Sequence, residues 1–270
     1  MIDTHTHTEH SFDSKQSAAE LAQIAYDKGC RYLAITNHFD RDIVGLPEMA
    51  DIPQLDIDKT YRDLDALRTQ WQGRMRIGVG LECGWAPQCE NDYAPVIDSR
   101  DWDFVIQSVH MVDNEDIYLP SYFATRTRKQ AYGRYLECVR MSLDAPYRFD
   151  AIGHIGYVIR KSTYQDNAMV YAEHADLLDD ILRTIIAKGK ALEINSNGKG
   201  TPEDFLPNRA ILRRYRELGG ELLTFGSDAH TADRVCDKYA AAAQLALSMG
   251  FRYFFGYEQH KPIAFPLETR

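Results

Sequence analysis

Paired cysteines are absent from this chain, which has five cysteines among its 270 residues and no CxxC spacing. The five are Cys30, Cys83, Cys89, Cys138 and Cys236. An odd number at such wide spacing does not suggest a disulfide framework and is typical of reduced, buried thiols in the cytosol. The cysteines therefore predict a cytoplasmic protein.

Long apolar runs and an excess of positive charge are missing as well. No apolar run approaches the roughly 18 residues that a membrane span needs, and no charged and apolar leader precedes the first predicted strand. The 31 basic residues against 40 acidic ones give a net charge of −9, which argues against a general nucleic-acid-binding protein. These absences predict a protein without a membrane partner, and they leave room for local positive charge that serves an anionic substrate.

Linkers, internal repeats and low-complexity tracts are also lacking, so the chain is predicted to form a single domain over residues 1–270. Short apolar runs alternate with longer segments of helical period, which is typical of βα units in a parallel sheet. The seven predicted strands cover residues 2–5, 32–36, 76–82, 104–109, 150–154, 191–195 and 222–226. Seven such units favour a TIM-like α/β barrel, and counting alone leaves a doubly wound sheet open.

Helices are predicted between these strands from apolar residues at helical spacing. They cover residues 17–29, 57–72, 122–143, 170–188, 207–218 and 232–249, several of them ending at a glycine. Two polar segments, 40–57 and 84–102, are predicted to be irregular and to lie around the mouth of a site. A last apolar run, 251–256, is predicted to be an edge strand or a closing segment.

Six of the nine histidines stand at or just past the end of a short apolar run. They are His5, His7, His38, His110, His154 and His230, and Glu82 and Asp228 occupy the same kind of position. Because the strands of a barrel deliver their ends to one face, these dispersed side chains are expected to meet there. Imidazole nitrogens and carboxylate oxygens are donors that divalent transition metals prefer. The pattern therefore predicts an enzyme that holds several metal ions.

The motifs around these residues resemble those of the polymerase-and-histidinol-phosphatase (PHP) family, and within it the stand-alone histidinol-phosphate phosphatases. The resemblance runs from D-T-H-T-H at 3–7 through T-N-H at 36–38, G-L-E at 80–82, S-V-H at 108–110 and G-H-I-G at 153–156 to S-D-A-H at 227–230. E-I-N-S-N-G at 193–198 is similar to the stretch that precedes the last ligand pair in these phosphatases. The resemblance implies a distorted (β/α)7 barrel with two or three divalent metals at its C-terminal end.

The resemblance also implies a map of the ligands. The first metal would be bound by His5, His7, Glu82 and Asp228, and Glu82 would bridge to a second metal that His110 and His154 complete. A third metal would be bound by His38, His230 and Asp13. Many relatives have histidine at position 13, so the carboxylate of this chain leaves two roles open: a third-site ligand, or the acid that stabilises the leaving alkoxide. Mixed imidazole and carboxylate sites accept zinc, iron or manganese.

The substrate also needs cations that do not compete with the metals. Arg160 and Lys161 follow His154 in the loop after the fifth predicted strand. In the resembling phosphatases an arginine here contacts phosphate, so the resemblance assigns that role to Arg160, whose guanidinium suits phosphate geometry. Asn197 and Lys199, after the sixth predicted strand, are further candidates for the same pocket.

A carboxylate that bridges two metals holds them roughly 3.5–4 Å apart, the spacing of two-metal hydrolases, in which bound water becomes a hydroxide nucleophile. This chemistry predicts a metal-dependent phosphomonoester hydrolase with a small phosphorylated substrate, and the resemblance narrows it to L-histidinol-phosphate phosphatase of histidine biosynthesis. A nuclease or other phosphodiesterase is one alternative, against which the net charge argues, and a protein-tyrosine phosphatase is another. A metal-binding module without catalysis is the third, against which the complete ligand set argues. The sequence does not predict an oligomeric state.

Overall fold

The protein alternates strands and helices along the chain. The structure, a computed structural model, describes residues 1–198 and 205–267. The strands are β1 (Ile2–Asp3), β2 (Tyr32–Asp40), β3 (Arg76–Gly84), β4 (Phe104–Ser108), β5 (Met111–Val112), β6 (Glu115–Asp116), β7 (Ala151–Ile152), β8 (Ala191–Asn195), β9 (Leu223–Gly226), β10 (Tyr253–Glu258) and β11 (Lys261–Pro266). The α-helices are α1 (Ala18–Asp27), α2 (Ile57–Gln70), α3 (Glu90–Ile97), α4 (Arg128–Ser142), α5 (Ala175–Ala187), α6 (Arg209–Glu217) and α7 (Tyr239–Ser248).

The main sheet is parallel and closes on itself. Within the described residues it contains seven strands in the order β1-β2-β3-β4-β7-β8-β9. The chain just after β1 then meets the end of β9: the backbone N–H of Thr4 donates to Phe225 O and that of Asp228 donates to His5 O, each at 2.8 Å. This closure confirms the predicted TIM-like barrel and excludes the doubly wound sheet, which would stay open.

Apolar faces of the helices cover the outside of the barrel. In α5, Leu178, Ile181, Leu182 and Ile185 are fully buried, and their spacing of three and four residues places them along one stripe of the helix. Burying a side chain of this size contributes about 1.5–3 kcal/mol. Burial of these apolar stripes therefore holds the helices against the sheet. The polar residues at the strand ends take no part in this packing.

A hairpin of β10 and β11 closes the amino-terminal end of the barrel. The hydroxyl of Tyr32, at the start of β2, donates to the backbone oxygen of Tyr257 at 2.6 Å. The Tyr257 ring stacks on Phe104 with ring centres 4.8 Å apart, and His260 Nδ1 lies 2.8 Å from the Asp150 carboxylate. The run predicted as an edge or closing segment is thus a closing one, and the carboxyl end of the barrel stays open.

Some predicted boundaries are wrong. The segment 84–102, predicted to be irregular, contains α3, which forms although Pro95 lies within it. Strand β7 ends at Ile152 rather than at residue 154, because His154 takes a left-handed backbone with φ of 23°. The helix predicted over 232–249 has an α-helical part that begins only at Tyr239. All five cysteines are buried and form no disulfide bonds. Within the described residues the helices are too short or too polar to cross a membrane.

Candidate metal centre

The nine side chains predicted as metal ligands meet at the carboxyl ends of the barrel strands. They are His5, His7, Asp13, His38, Glu82, His110, His154, Asp228 and His230. Contacts between their ring nitrogens and carboxylate oxygens, at distances from 2.8 Å to 3.9 Å, connect all nine into one cluster. Parallel strands that end on one face produce this convergence from seven separate stretches of the sequence.

Glu82, near the end of β3, lies at the centre of the cluster. Its Oε1 atom is 2.8 Å from His154 Nε2 and 3.3 Å from His110 Nε2. Its Oε2 atom is 3.1 Å from His5 Nε2 and 3.5 Å from His7 Nε2. Oε2 is also 3.1 Å from His38 Nδ1. The two oxygens therefore face different sets of histidines, an arrangement that suits a carboxylate bridging two metals.

The first of these groups contains His5, His7 and Asp228, all buried. Asp228 Oδ1 lies 3.4 Å from His7 Nε2 and 3.9 Å from His5 Nε2, and one donor atom from each residue falls within 4.8 Å of the other two. Such spacing lets one ion contact all three donors. The arrangement matches the first site of the predicted map.

Unpartnered buried atoms test whether the cluster fits metal ions. His5 Nε2, His7 Nε2 and Glu82 Oε2 are all buried and lack a hydrogen-bond partner. A buried polar atom without a partner costs roughly 1–3 kcal/mol, and three such atoms that point at one another add up to a large cost. A divalent ion placed between these three atoms would accept their lone pairs. The residues therefore fit a metal ion.

Hydrogen bonds behind His7 fix which of its nitrogens can bind a metal. His7 Nδ1 is 3.2 Å from Ser11 Oγ, and the Ser11 hydroxyl already donates its proton to Asn37 Oδ1 at 3.0 Å. Asn37 Oδ1 also accepts from the backbone N–H of Thr8, so this atom is the amide oxygen. Ser11 must then accept a proton from His7 Nδ1, and His7 Nε2 keeps its lone pair for the metal.

Two acidic residues that sequence reasoning missed lie behind other histidines. Glu193 Oε1, on β8, is 2.7 Å from His5 Nδ1. Asp40 Oδ2, at the end of β2, is 3.1 Å from His38 Nδ1 and 3.4 Å from His110 Nδ1. Because Asp40 follows His38 by two residues in the same strand, period-two alternation was a signal that could have found it.

The second and third groups also assemble. His110 and His154 approach Glu82 Oε1, and their rings lie 5.4 Å apart between centres. His7, His38 and His230 form the third group, in which Asp13 Oδ2 is 2.9 Å from His230 Nε2 and 3.6 Å from His38 Nε2. The aspartate that replaces the histidine of many relatives thus contacts both of its predicted partners.

Mutual electrostatics set the protonation of the groups in the cluster. Burial raises the pKa of the Glu82 carboxyl, but His5, His38 and His110 outweigh burial and hold that pKa well below its usual range. Burial, together with His230 and His38, lowers the pKa of His7 to about 3. Neighbouring carboxylates instead raise the pKa of His5 well above its usual value, against the effect of burial. A metal must therefore displace the proton of His5, so its affinity is expected to fall as the pH falls.

The predicted substrate cations border the same site. Arg160 Nη1 is 3.1 Å from Asp228 Oδ2, and the guanidinium lies over the Tyr157 ring at 5.0 Å. Asn197 Nδ2 is 3.2 Å from the same Asp228 oxygen, and Lys161 Nζ lies over the Tyr118 ring at 4.5 Å. Lys199 lies outside the described residues.

An open cavity of about 710 Å³ joins the predicted metal ligands to these cations. Ile43, Met49 and Ile52, from the polar segment predicted to border the site, line it. Asp116 and Tyr118 line another part of its wall. The volume admits a small phosphorylated molecule with its phosphoryl group against the metal ligands.

This chain is similar to known proteins over most of its length. The family model described as PHP domain matches residues 3–197. A probable histidinol-phosphatase from Clostridium acetobutylicum is 27% identical over 258 residues, which cover 94% of this chain and 96% of that protein. A histidinol-phosphatase from Lactococcus lactis is 27% identical over 251 residues, 93% of this chain and 91% of that protein.

A solved structure is similar over nearly the whole chain. It is the histidinol phosphate phosphatase from Lactococcus lactis in complex with zinc, L-histidinol and phosphate. The TM-score is 0.86 at 26% sequence identity, and the match covers 97% of this chain and 98% of that one. The family model spans well over half of the sequence, and the chain therefore belongs to the PHP domain family.

Proposed function

We propose that this protein is a metal-dependent phosphatase that hydrolyses L-histidinol phosphate to L-histidinol and phosphate, a step of histidine biosynthesis. The observation that carries the proposal is the convergence of nine potential ligands, Glu82 among them, beside a cavity bordered by Arg160. The histidinol-phosphatase names of the relatives, and the histidinol and phosphate bound in the similar structure, support the choice of substrate. We place this activity in one domain and in the cytoplasm, where reducing conditions suit five buried unbonded cysteines.

The proposal includes two or three divalent ions of zinc, iron or manganese. The first would be held by His5, His7, Glu82 and Asp228, the second by Glu82, His110 and His154, and the third by Asp13, His38 and His230. When bound, such ions lower the pKa of bound water and neutralise charge on the phosphoryl oxygens. The zinc in the similar structure supports the presence of metal ions.

Protein side chains complete the proposed chemistry. Arg160 is partly buried at its Asp228 contact and lines the cavity, where its guanidinium would hold phosphoryl oxygens that carry growing negative charge. Lys161 and Asn197 border the same wall and would orient the ester. Asp13 and His230, 2.9 Å apart, would either hold the third ion or pass their shared proton to the leaving oxygen.

Asp116 is proposed to recognise the ammonium group of histidinol. It lines the cavity, and none of the metal-ligand groups found in the described residues includes it. Its Oδ1 atom accepts the backbone N–H of Tyr118 at 2.7 Å, which fixes the carboxylate near the two aromatic rings of Tyr118 and Tyr157. A carboxylate beside aromatic faces suits a small organic cation.

Steady-state hydrolysis of a substrate panel tests the proposal. We expect kcat/KM for histidinol phosphate to exceed that for p-nitrophenyl phosphate, a phosphotyrosine peptide and a phosphodiester by at least about 10²-fold, or ~2.7 kcal/mol of transition-state binding. For the Asp116→Asn variant, kcat/KM for histidinol phosphate should fall about tenfold, whereas kcat/KM for p-nitrophenyl phosphate should change little. A specificity constant no higher for histidinol phosphate than for the generic esters would overturn the assigned substrate.

A further inference from the structure

Glu193 uses both of its carboxylate oxygens inside the barrel. The side chain is buried in β8, with 1% of its surface exposed. Its Oε1 atom lies 2.7 Å from His5 Nδ1. Its Oε2 atom accepts the backbone N–H of His154 at 2.7 Å and the side-chain amide of Asn195 at 3.2 Å. One carboxylate therefore contacts a predicted ligand of the first metal and a predicted ligand of the second.

The chain leaves space for this contact by having glycine at position 226. A Cβ atom at Gly226 would lie 2.1 Å from Glu193 Oε1 and 2.5 Å from His5 Cβ. Both distances are far below a normal carbon contact, and a side chain there would separate the carboxylate from the imidazole. The absence of a side chain at Gly226 is thus a requirement of the Glu193–His5 contact.

The bond to His154 holds a backbone conformation that a histidine rarely adopts. His154 has φ of 23°, a positive value that is strained for a non-glycine residue. The hydrogen bond from its N–H to Glu193 compensates part of that strain and fixes where the His154 ring leaves the backbone. The ring then reaches Glu82 Oε1 at 2.8 Å.

We propose that Glu193 is a positioning residue that sets the first and second metal sites together, by orienting the His5 ring and anchoring the His154 backbone. This inference rests on the proposed metal-dependent function. With Glu193 accepting from Nδ1, the proton of His5 stays on that atom, and Nε2, which lacks a hydrogen-bond partner, keeps its lone pair for the first metal.

A glutamine at position 193 would separate the orientation of the His5 ring from the anchoring of the His154 backbone. Two N–H donors point at the Oε2 position, so the amide oxygen of Glu193→Gln has to lie there, and the amide NH₂ then faces His5 Nδ1. His5 would have to accept a proton at Nδ1 and carry its own proton at Nε2, where it blocks the metal. Glu193→Gln should therefore impair the first site alone, whereas Glu193→Ala removes both contacts and should impair two sites.

Zinc binding to the full chain, measured by competition with a chelator, tests the proposal without reference to any substrate. We expect Glu193→Gln to lower the affinity for one zinc ion per chain by about 10- to 100-fold. Glu193→Ala should lower the affinity for two zinc ions per chain. NMR of the ring nitrogens should show the His5 Nδ1–H signal in the wild type and its loss in Glu193→Gln. Both measurements concern zinc binding and the His5 ring. Their outcome therefore does not depend on whether histidinol phosphate is the substrate.

Asp103→Asn provides the matched control. Asp103 is a buried carboxylate at the opposite end of the same barrel, and it accepts from the backbone N–H of Val79 and from Arg68, each at 2.9 Å. Its loss should lower the melting temperature and leave zinc affinity unchanged. Zinc affinity within twofold of the wild type in Glu193→Gln, or an equal loss in Asp103→Asn, would overturn the positioning role.

Discussion

Glu82→Gln is expected to lose phosphatase activity and bound metal together. Glu82 contacts His5, His7, His110 and His154 through its two oxygens, and a glutamine would offer one neutral oxygen in place of two charged ones. The first and second ions would each lose their shared ligand. We expect kcat/KM to fall by about 10³-fold or more, equivalent to ~4 kcal/mol of transition-state stabilisation, with metal content measured on the same sample.

Glu217→Gln is the control for this change. Glu217 lies on α6 and forms an exposed ion pair with Arg214, an interaction that typically contributes little. The variant should keep wild-type activity and metal content. If Glu82→Gln kept its full complement of metal and more than a tenth of the wild-type activity, Glu82 would not be the bridging ligand.

Arg160→Ala is expected to lower kcat/KM by about 10²-fold while the metal content holds. The guanidinium is held by Asp228 at 3.1 Å and by the Tyr157 ring, so it is preorganised toward the phosphoryl position. Arg160→Lys keeps the charge but loses the planar pair of donors, and should recover only part of the loss. Steady-state kinetics with metal analysis of the same preparations separates the two effects.

The contact with Asp228 suggests a second role for Arg160, in which it supports the first metal site instead of binding phosphate. If Arg160 served mainly to hold the predicted metal ligand Asp228 in place, the alanine variant would lose metal as well as activity. Loss of metal in Arg160→Ala would therefore assign Arg160 to the structure of the first site and not to the phosphate.

Local sequence patterns were sufficient to predict most of the fold. Apolar runs near residues 32, 76, 104, 191 and 223 became barrel strands because their two faces are buried between the barrel interior and the helices. The pattern failed where tertiary contacts override it. Strand β7 stops early because His154 leaves the extended conformation, and α3 forms although Pro95 lies within it.

Eight of the nine predicted metal ligands stand at or just past the end of an apolar run, a feature visible within a few residues, whereas Asp13 came only from the family resemblance. The residues behind them could not be found this way. Glu193 lies 188 positions from the imidazole it contacts, and a glutamate within a strand has no local signature of such a partner. Ser11 and Asn37 are likewise joined to His7 only by folding.

The metal content of the purified protein tests the central claim most directly. We expect two or three ions of zinc, iron or manganese per chain by elemental analysis, since His5 Nε2, His7 Nε2 and Glu82 Oε2 are buried without hydrogen-bond partners. One ion or none, in protein that is folded and purified without chelators, would contradict it.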